Sequence, residues 1–155
     1  MERKTNVIAE DGRHDLTITR DFDLPVDLIF KAYTEAEFIS QWMGTRVVKL
    51  ENKNHGGYKF ETSDKTGHVV LKMNGTIHEI IPDKKIIRTF EMENTPYGVQ
   101  LEFLSFENIS DDSGRLIIHV IYESPEKRDQ VLKLPFIQGI NMAHKRLEEI
   151  AEKFK

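Results

Sequence analysis

The hydrophobic positions of this chain change period three times. From Leu16 to Phe22 they alternate, with Leu16, Ile18, Arg20 and Phe22 on one face and Thr17, Thr19 and Asp21 on the other, which predicts a β-strand. At Pro25 the period becomes helical. Pro25 suits the first position of a helix in PVDLIFKAY, with Val26, Ile29, Phe30 and Tyr33 on one side. Thr34 then offers a cap to a second, shorter helix in which Phe38, Ile39, Trp42 and Met43 recur at helical spacing until Gly44 stops the pattern. From Thr45 to Glu123 the signals are β: TRVVKLE, YKFET, HVVLKMNGTIHEII, KKIIRTFEME, VQLEFLSFE and RLIIHVIYE. Turns at Pro82-Asp83-Lys84, at NTPYG and at Asp111-Asp112-Ser113-Gly114 separate neighbours, so an antiparallel meander is the economical pairing. Gly75, inside the longest run, marks either a bulge or a close approach of another group. Ser124-Pro125-Glu126 starts the last helix with a cap, a proline and an acid at the positive end of the helix dipole. That helix bends or restarts near Pro135 and carries one apolar stripe, Phe136, Ile140, Ala143, Leu147, Ile150 and Phe154. The first dozen residues are polar and read as a loose arm, over residues 1–13, or as an edge segment.

A single sheet with one long amphipathic helix must lay that helix across one of its faces. Gly139 falls on the inner side of the helix beside Ala143, with Phe136 and Phe154 toward its ends. Small residues there either let the sheet pack closely or leave a gap, and the pattern permits both. Trp42, the only tryptophan, ends a helix too short to be stabilised by its own hydrogen bonds. It closes the core, lines a binding site, or does both.

Composition narrows the function classes. A chain of 155 residues, 39% hydrophobic and 31% charged, suits one globular domain spanning 1–155. With no cysteine, disulfides, thiolate catalysis and cysteine-based zinc sites are excluded. The net charge of −4 provides no basic field for nucleic acid. No apolar run approaches the ~20 residues that span a bilayer, and MERKTNVIAEDGRHDL lacks the apolar core of a signal peptide, so the expectation is a cytoplasmic protein without membrane insertion.

Motifs for catalysis are missing. His78 opens HEII but has no second histidine four residues on, and it lies in a strand run; no phosphate loop or nucleophile elbow occurs. No catalytic residue, metal ligand or cofactor is therefore assigned. His119 alternates with Ile117 and Ile121 and reads as structural; His144 reads as solvated at the polar edge of the last helix. Arg20 is the exception, a charge on an inward face that requires a partner. The candidates are an ion pair with Glu35 or Glu37, or service as an anchor for a ligand oxyanion. Glu79 raises the same question more weakly beside Leu71, Met73 and Ile77. Met73, Met92 and Met142 are either adaptable pocket surface or ordinary core filling.

The run from Arg20 to Gly44, R-x-F-x-x-P-V-D-L-I-F-K-A-Y-T-E-A-E-F-I-S-Q-W-M-G, is followed by H-G-G-Y-K-F at His55, G-T-I-H-E-I-I-P-D-K-K-I at Gly75 and a late glycine, Gly139. In that order and spacing the motifs resemble the Aha1-like branch of the START/Bet v 1 (SRPBCC) superfamily, from Asp15 to Phe154. The resemblance implies an α+β helix-grip fold: a curved, seven-stranded antiparallel sheet around a long C-terminal helix, with two short helices after the first strand. It implies a cavity for a small hydrophobic or flat aromatic ligand, lipid, polyketide or flavonoid-like. On that basis Trp42 and Phe38 are expected at the site from the second short helix, and Gly139, Ile140 and Ala143 from the long helix. Tyr58, Phe60, Met73, Phe90, Phe103 and Tyr122 are expected from the sheet, with Arg20 as a candidate polar anchor. A non-enzymatic binding protein, monomeric or weakly dimeric and with a role in stress response, is the first expectation. A co-chaperone-like partner of an Hsp90-type ATPase and a polyketide cyclase-like enzyme are the alternatives.

Overall fold

The computed structural model describes residues 4–155. Along the chain come β1 (Asn6–Ile8), β2 (Asp15–Phe22), α1 (Val26–Thr34), α2 (Ala36–Met43), β3 (Arg46–Leu50) and β4 (Gly56–Ser63). β5 (Val69–Ile81), β6 (Lys85–Met92), β7 (Val99–Ser110), β8 (Ser113–Ile121), α3 (Pro125–Leu132) and α4 (Phe136–Ala151) complete the chain before a final 3-10 turn at Glu152–Phe154. All eight strands form one antiparallel sheet in the order β1-β2-β8-β7-β6-β5-β4-β3. The chain leaves β2 near one edge and returns in β3 at the other, so α1 and α2 bridge the two sides of the sheet. This is the helix-grip architecture, with eight strands where seven are expected.

The additional strand is β1, which pairs with β2 through Val7 opposite Ile18. Of the two readings of the N-terminus, the edge segment is the one that forms here, and the loose arm gives way over Asn6–Ile8. The cause lies one residue earlier: the Thr5 amide donates to the Asn141 side chain at 3.0 Å, and its buried hydroxyl meets His144 at 2.8 Å. Residues 1–3 of the proposed arm lie outside the described residues.

Register sets the inner face in rows. Leu16, Val120, Glu102, Arg88 and Ile77 lie side by side across five strands, and Ile18, Ile118, Leu104 and Ile86 form the next row. Cross-strand neighbours of this kind are the unit of sheet stabilisation. The second row is wholly apolar; the first places an ion pair in its middle.

Local details depart from the sequence pattern where a side chain finds a better partner. Thr34 does not cap α2; its hydroxyl turns back to the Phe30 carbonyl at 2.9 Å, and Glu35 starts the helix without a side-chain cap. Gly44 ends α2 in the left-handed conformation, φ 64°. Ser124 caps α3 as expected, accepting from the Lys127 amide, and the last helix restarts after Pro135 rather than bending. The far end of its stripe, Phe154, leaves the core to pack on Phe38 at 4.6 Å between ring centres.

Gly75 is a close approach, and the register break lies beyond it, between Ile77 and Glu79. The Tyr58 hydroxyl passes over Gly75 to donate to the Thr89 carbonyl. A Cβ on residue 75 would run into both groups. Neither is the free end of a flexible chain, because Tyr58 is buried and Thr89 is backbone. Gly75→Ala is therefore expected to destabilise the protein by about 2–3 kcal/mol, read as a lower urea midpoint at unchanged slope. A midpoint within error of wild type would show that the sheet yields at this point.

Candidate functional site

Between the sheet and the first half of α4 lies a cavity of about 590 Å³. Its walls come from the inner faces of β6, β7 and β8, from the end of α2, and from Phe136, Gly139, Ile140 and Ala143 of α4. Gly139 decides between the two sequence readings. No atom lies within 4 Å of the place a Gly139 Cβ would occupy, so the glycine faces open space and not a closely packed strand.

Seven of the residues expected at the site line this space. Trp42, Phe60, Phe90 and Tyr122 reach it from α2, the sheet and the end of β8; Gly139, Ile140 and Ala143 form the roof. Trp42 is buried, and its indole N–H donates to the Ala32 carbonyl at 2.7 Å. Its carbonyl accepts from Arg146 Nε at 3.1 Å. Trp42 thus ties α2 to α1 and to α4 and closes the core, while its ring also lines the cavity.

Five expected residues lie elsewhere. Phe38 faces away, against Phe154 and a separate cleft of about 220 Å³ that also contains Glu35 and Glu37. Tyr58 and Met73 are buried in the sheet's packing, Tyr58 being held over Gly75. Phe103 is on the outer face of β7, stacked over His119 with ring centres 6.1 Å apart. The strand is the cause. Its apolar-looking set, Val99, Leu101 and Phe103, points outward, while Gln100, Glu102, Leu104 and Phe106 point in.

Arg20 does not line the cavity either; of its two readings the ion pair is the one that forms, with a different partner. It is 2% exposed and pairs with Glu148 of α4 at 3.4 Å, not with Glu35 or Glu37. Its Nη1 donates to Thr5 Oγ1 and Asn141 Oδ1, both at 3.2 Å, and its Nε has no partner. Glu148 also accepts from the Asp23 amide at 2.8 Å. Arg20 is therefore a structural charge below the second half of α4. Glu79 pairs on the surface with Lys85 at 3.0 Å, and His119 pairs with Asp15 at 2.9 Å. Of the methionines, Met73 is core, Met92 lines the cavity and Met142 is exposed.

His144, expected in solvent, is fully buried. Its two ring nitrogens meet the Tyr33 hydroxyl at 2.9 Å and the Thr5 hydroxyl at 2.8 Å. Burial, aided by the Arg20 charge, pushes its pKa down to about 3, so the ring is neutral near pH 7. A signal was available in the sequence, since residue 144 lies one position from Ala143 and three from Leu147, inside the apolar stripe.

The polar groups of the cavity were not foreseen. Arg88 Nε donates to Glu102 Oε1 at 2.8 Å, and Gln100 donates to Glu102 Oε2 at 2.8 Å. The Arg88 guanidinium lies over the Tyr58 ring, 5.3 Å from its centre. Burial works against the Arg88 charge, but Tyr58 and the Glu102 carboxylate outweigh it and hold its pKa above the ordinary arginine value. Burial raises the Tyr122 pKa, so its hydroxyl keeps its proton. Among the described residues no three His, Asp or Glu side chains come together to hold a metal, and no helix is long and apolar enough to cross a membrane.

Comparison with known proteins agrees with this architecture. The family model described as activator of Hsp90 ATPase homolog 1-like protein matches residues 23–152. A crystal structure from Rhodobacter sphaeroides superposes with a TM-score of 0.83 at 18% identity, covering 96% of this chain and 99% of that one. One from Mycobacterium smegmatis gives 0.83 at 21% identity, covering 95% and 96%, and a solution structure from Arthrobacter aurescens gives 0.83 at 13%, covering 96% and 91%. Among functionally curated proteins none matches the chain.

The buried histidine makes stability depend on pH. Its folded pKa, about 3, lies below the 6.5 of a free imidazole, so the unfolded chain takes up the proton first. The stability it contributes is complete above pH 6.5 and is lost as pH falls toward 3, on the order of 5 kcal/mol in all. Between pH 6.5 and 5, above most carboxylate titration, unfolding free energy from urea titrations is expected to fall with a slope approaching one proton. The slope should shrink in a folded His144→Gln variant. A flat wild-type profile over that window would mean that His144 titrates normally.

Proposed function

The chain belongs to the activator of Hsp90 ATPase homolog 1-like family, and from that premise we propose that it binds a small, largely apolar ligand between its sheet and α4. The observation that carries this reading is the 590 Å³ space beneath Gly139. Ligand sites commonly span about 300–1,000 Å³ and combine apolar walls with a few placed polar groups. This space has aromatic and aliphatic walls and one polar cluster on its floor.

Binding without catalysis is favoured by the way the ionisable groups are used. The Glu102 carboxylate has both oxygens engaged and Arg88 is its partner, so neither stands ready as a general base or acid. A co-chaperone role, which the family description brings to mind, calls for a docking face and would leave the concave space and its polar floor without a use.

Two measurements test the reading. Native mass spectrometry of gently purified protein is expected to retain a small molecule, or to accept one from a panel of apolar aromatics that also shifts the emission of Trp42. Gly139→Leu should place a side chain in the open space and weaken such binding at least tenfold. Because leucine favours helix over glycine by about 1 kcal/mol, its unfolding midpoint should be no lower than that of wild type. Undiminished binding by this variant, or a panel that neither binds nor moves the Trp42 emission, would refute a ligand site here.

A further inference from the structure

The floor of the cavity restricts which ligand can lie there, if the cavity is a ligand site as argued above. Glu102 is the central acceptor, and each of its oxygens already accepts one hydrogen bond, from Arg88 Nε at Oε1 and from Gln100 at Oε2. What remains is mainly donor. Nε is the only Arg88 nitrogen that makes a hydrogen bond among the described residues, so the N–H groups of its two terminal nitrogens are unfilled in a residue that lines the cavity. Tyr122 is 3% exposed and also lines the cavity, yet its hydroxyl bonds to no described residue. Gln100 has one further N–H, and its carbonyl is the acceptor set against these donors. Register places the groups together. Arg88 is directly opposite Glu102, Glu102 is opposite Val120, and Tyr122 lies two residues beyond Val120, on the Gln100 side. These groups border the open space, where water or a ligand can reach them, and a ligand that matches their donors replaces that water without leaving a polar group unpaired.

Charge narrows the choice further. One cation and one anion 2.8 Å apart leave the floor with no net charge. A ligand carboxylate placed there would lose its hydration, meet Arg88 and Glu102 at similar range, and gain little net attraction in return. Arg146 also lines the space, but at its rim, where it donates to the Trp42 carbonyl and is exposed, so that water screens its charge from the floor. A neutral oxygen acceptor pairs the same donors without bringing a second negative charge.

We propose that the ligand is a neutral, largely flat apolar molecule whose inner end is a carbonyl acceptor of the ketone, quinone or amide type. Arg88 and Tyr122 receive that carbonyl, and the Glu102 carboxylate discriminates against acids of the same shape. Glu102 is on this account a specificity determinant that acts through the charge it returns to the floor.

Three phenanthrenes that differ only in one substituent test it: the methyl ketone, the ethyl compound and the carboxylate, each titrated by calorimetry at pH 7.5. The ketone is expected to bind about tenfold more tightly than either of the others, the difference typical of one hydrogen bond to a charged donor. Tyr122→Phe removes a hydroxyl that bonds to no described residue, so the fold should survive. It should cut ketone affinity several-fold and leave the ethyl compound unchanged. Glu102→Gln keeps the shape and frees the Arg88 charge; the order of ketone and carboxylate should then reverse. Equal binding of ketone and ethyl compound by wild type would overturn the carbonyl assignment. A wild-type preference for the carboxylate, or no gain in carboxylate affinity in a Glu102→Gln protein with native circular dichroism, would overturn the role of Glu102. Failure of all three compounds to bind would instead remove the ligand-cavity reading, and this inference with it.

Discussion

From Asn141 onward α4 is bonded into the protein by a buried polar network, and the position of the whole helix depends on it. His144 joins α4 to Tyr33 of α1 and to Thr5 before β1, while Glu148 and Asn141 join it to Arg20 of β2. Leu147 and Ala151 pack beside these bonds with almost no exposure. A helix of 16 residues is a rod of about 24 Å. Fixing one half of a rod fixes the other half as well, whether or not the other half touches anything. The first half of α4 can therefore stand off the sheet, with glycine at residue 139, without the helix being loose. Breaking one member of such a network leaves its partners buried and unpaired, which is far more costly than the bond was worth. The unfilled Arg20 Nε shows that the network already works close to its limit.

The cavity floor raises the opposite question, because Arg88 and Glu102 secure no helix. Buried ion pairs are frequently no better for stability than apolar residues of the same size. Here an apolar pair would continue the row from Val120 to Ile77 and leave the space uniformly greasy. Stability therefore gives little reason for charge at this place. The proposed ligand site gives one, since a preorganised guanidinium over the Tyr58 ring, fixed by Glu102 through one nitrogen, presents its remaining N–H groups in a known direction.

How far the molecule was legible in its sequence follows from the range of each interaction. Alternation in β2 and the stripe in α4 are local, and both were readable, down to the inward Arg20 and the small residues at 139 and 143. The partner of Arg20 was not, because Glu148 is distant along the chain, whereas Glu35 and Glu37 only looked near. β7 departs for a different reason: the expectation of Phe103 at the site follows its residue type, whereas the inward positions belong to Gln100 and Glu102. Residue type likewise placed His144 in water although its helical position was on the buried side. At both places the pattern was correct and the residue type was the misleading part, and both carry the interior polar chemistry of this protein. The eighth strand needed Thr5 to find His144, a contact that no local period can announce.

Trp42 connects the two systems. Its ring lies 5.1 Å from that of Tyr33 and 6.4 Å from that of His144, while the same ring borders the cavity. Tyr33 does likewise, with its hydroxyl in the network and its body on the cavity wall. A ligand pressed against this aromatic wall packs onto groups whose far sides are bonded to α1 and α4. Its binding energy then adds to the forces seating the helix, as mass action requires of anything that binds only the folded form. The converse also follows. A proton on His144 cannot be accommodated beside Arg20 without disturbing Tyr33, and through Tyr33 the wall of the cavity. The short α2 helix, too weak to stand alone, persists because its last aromatic residue belongs to both.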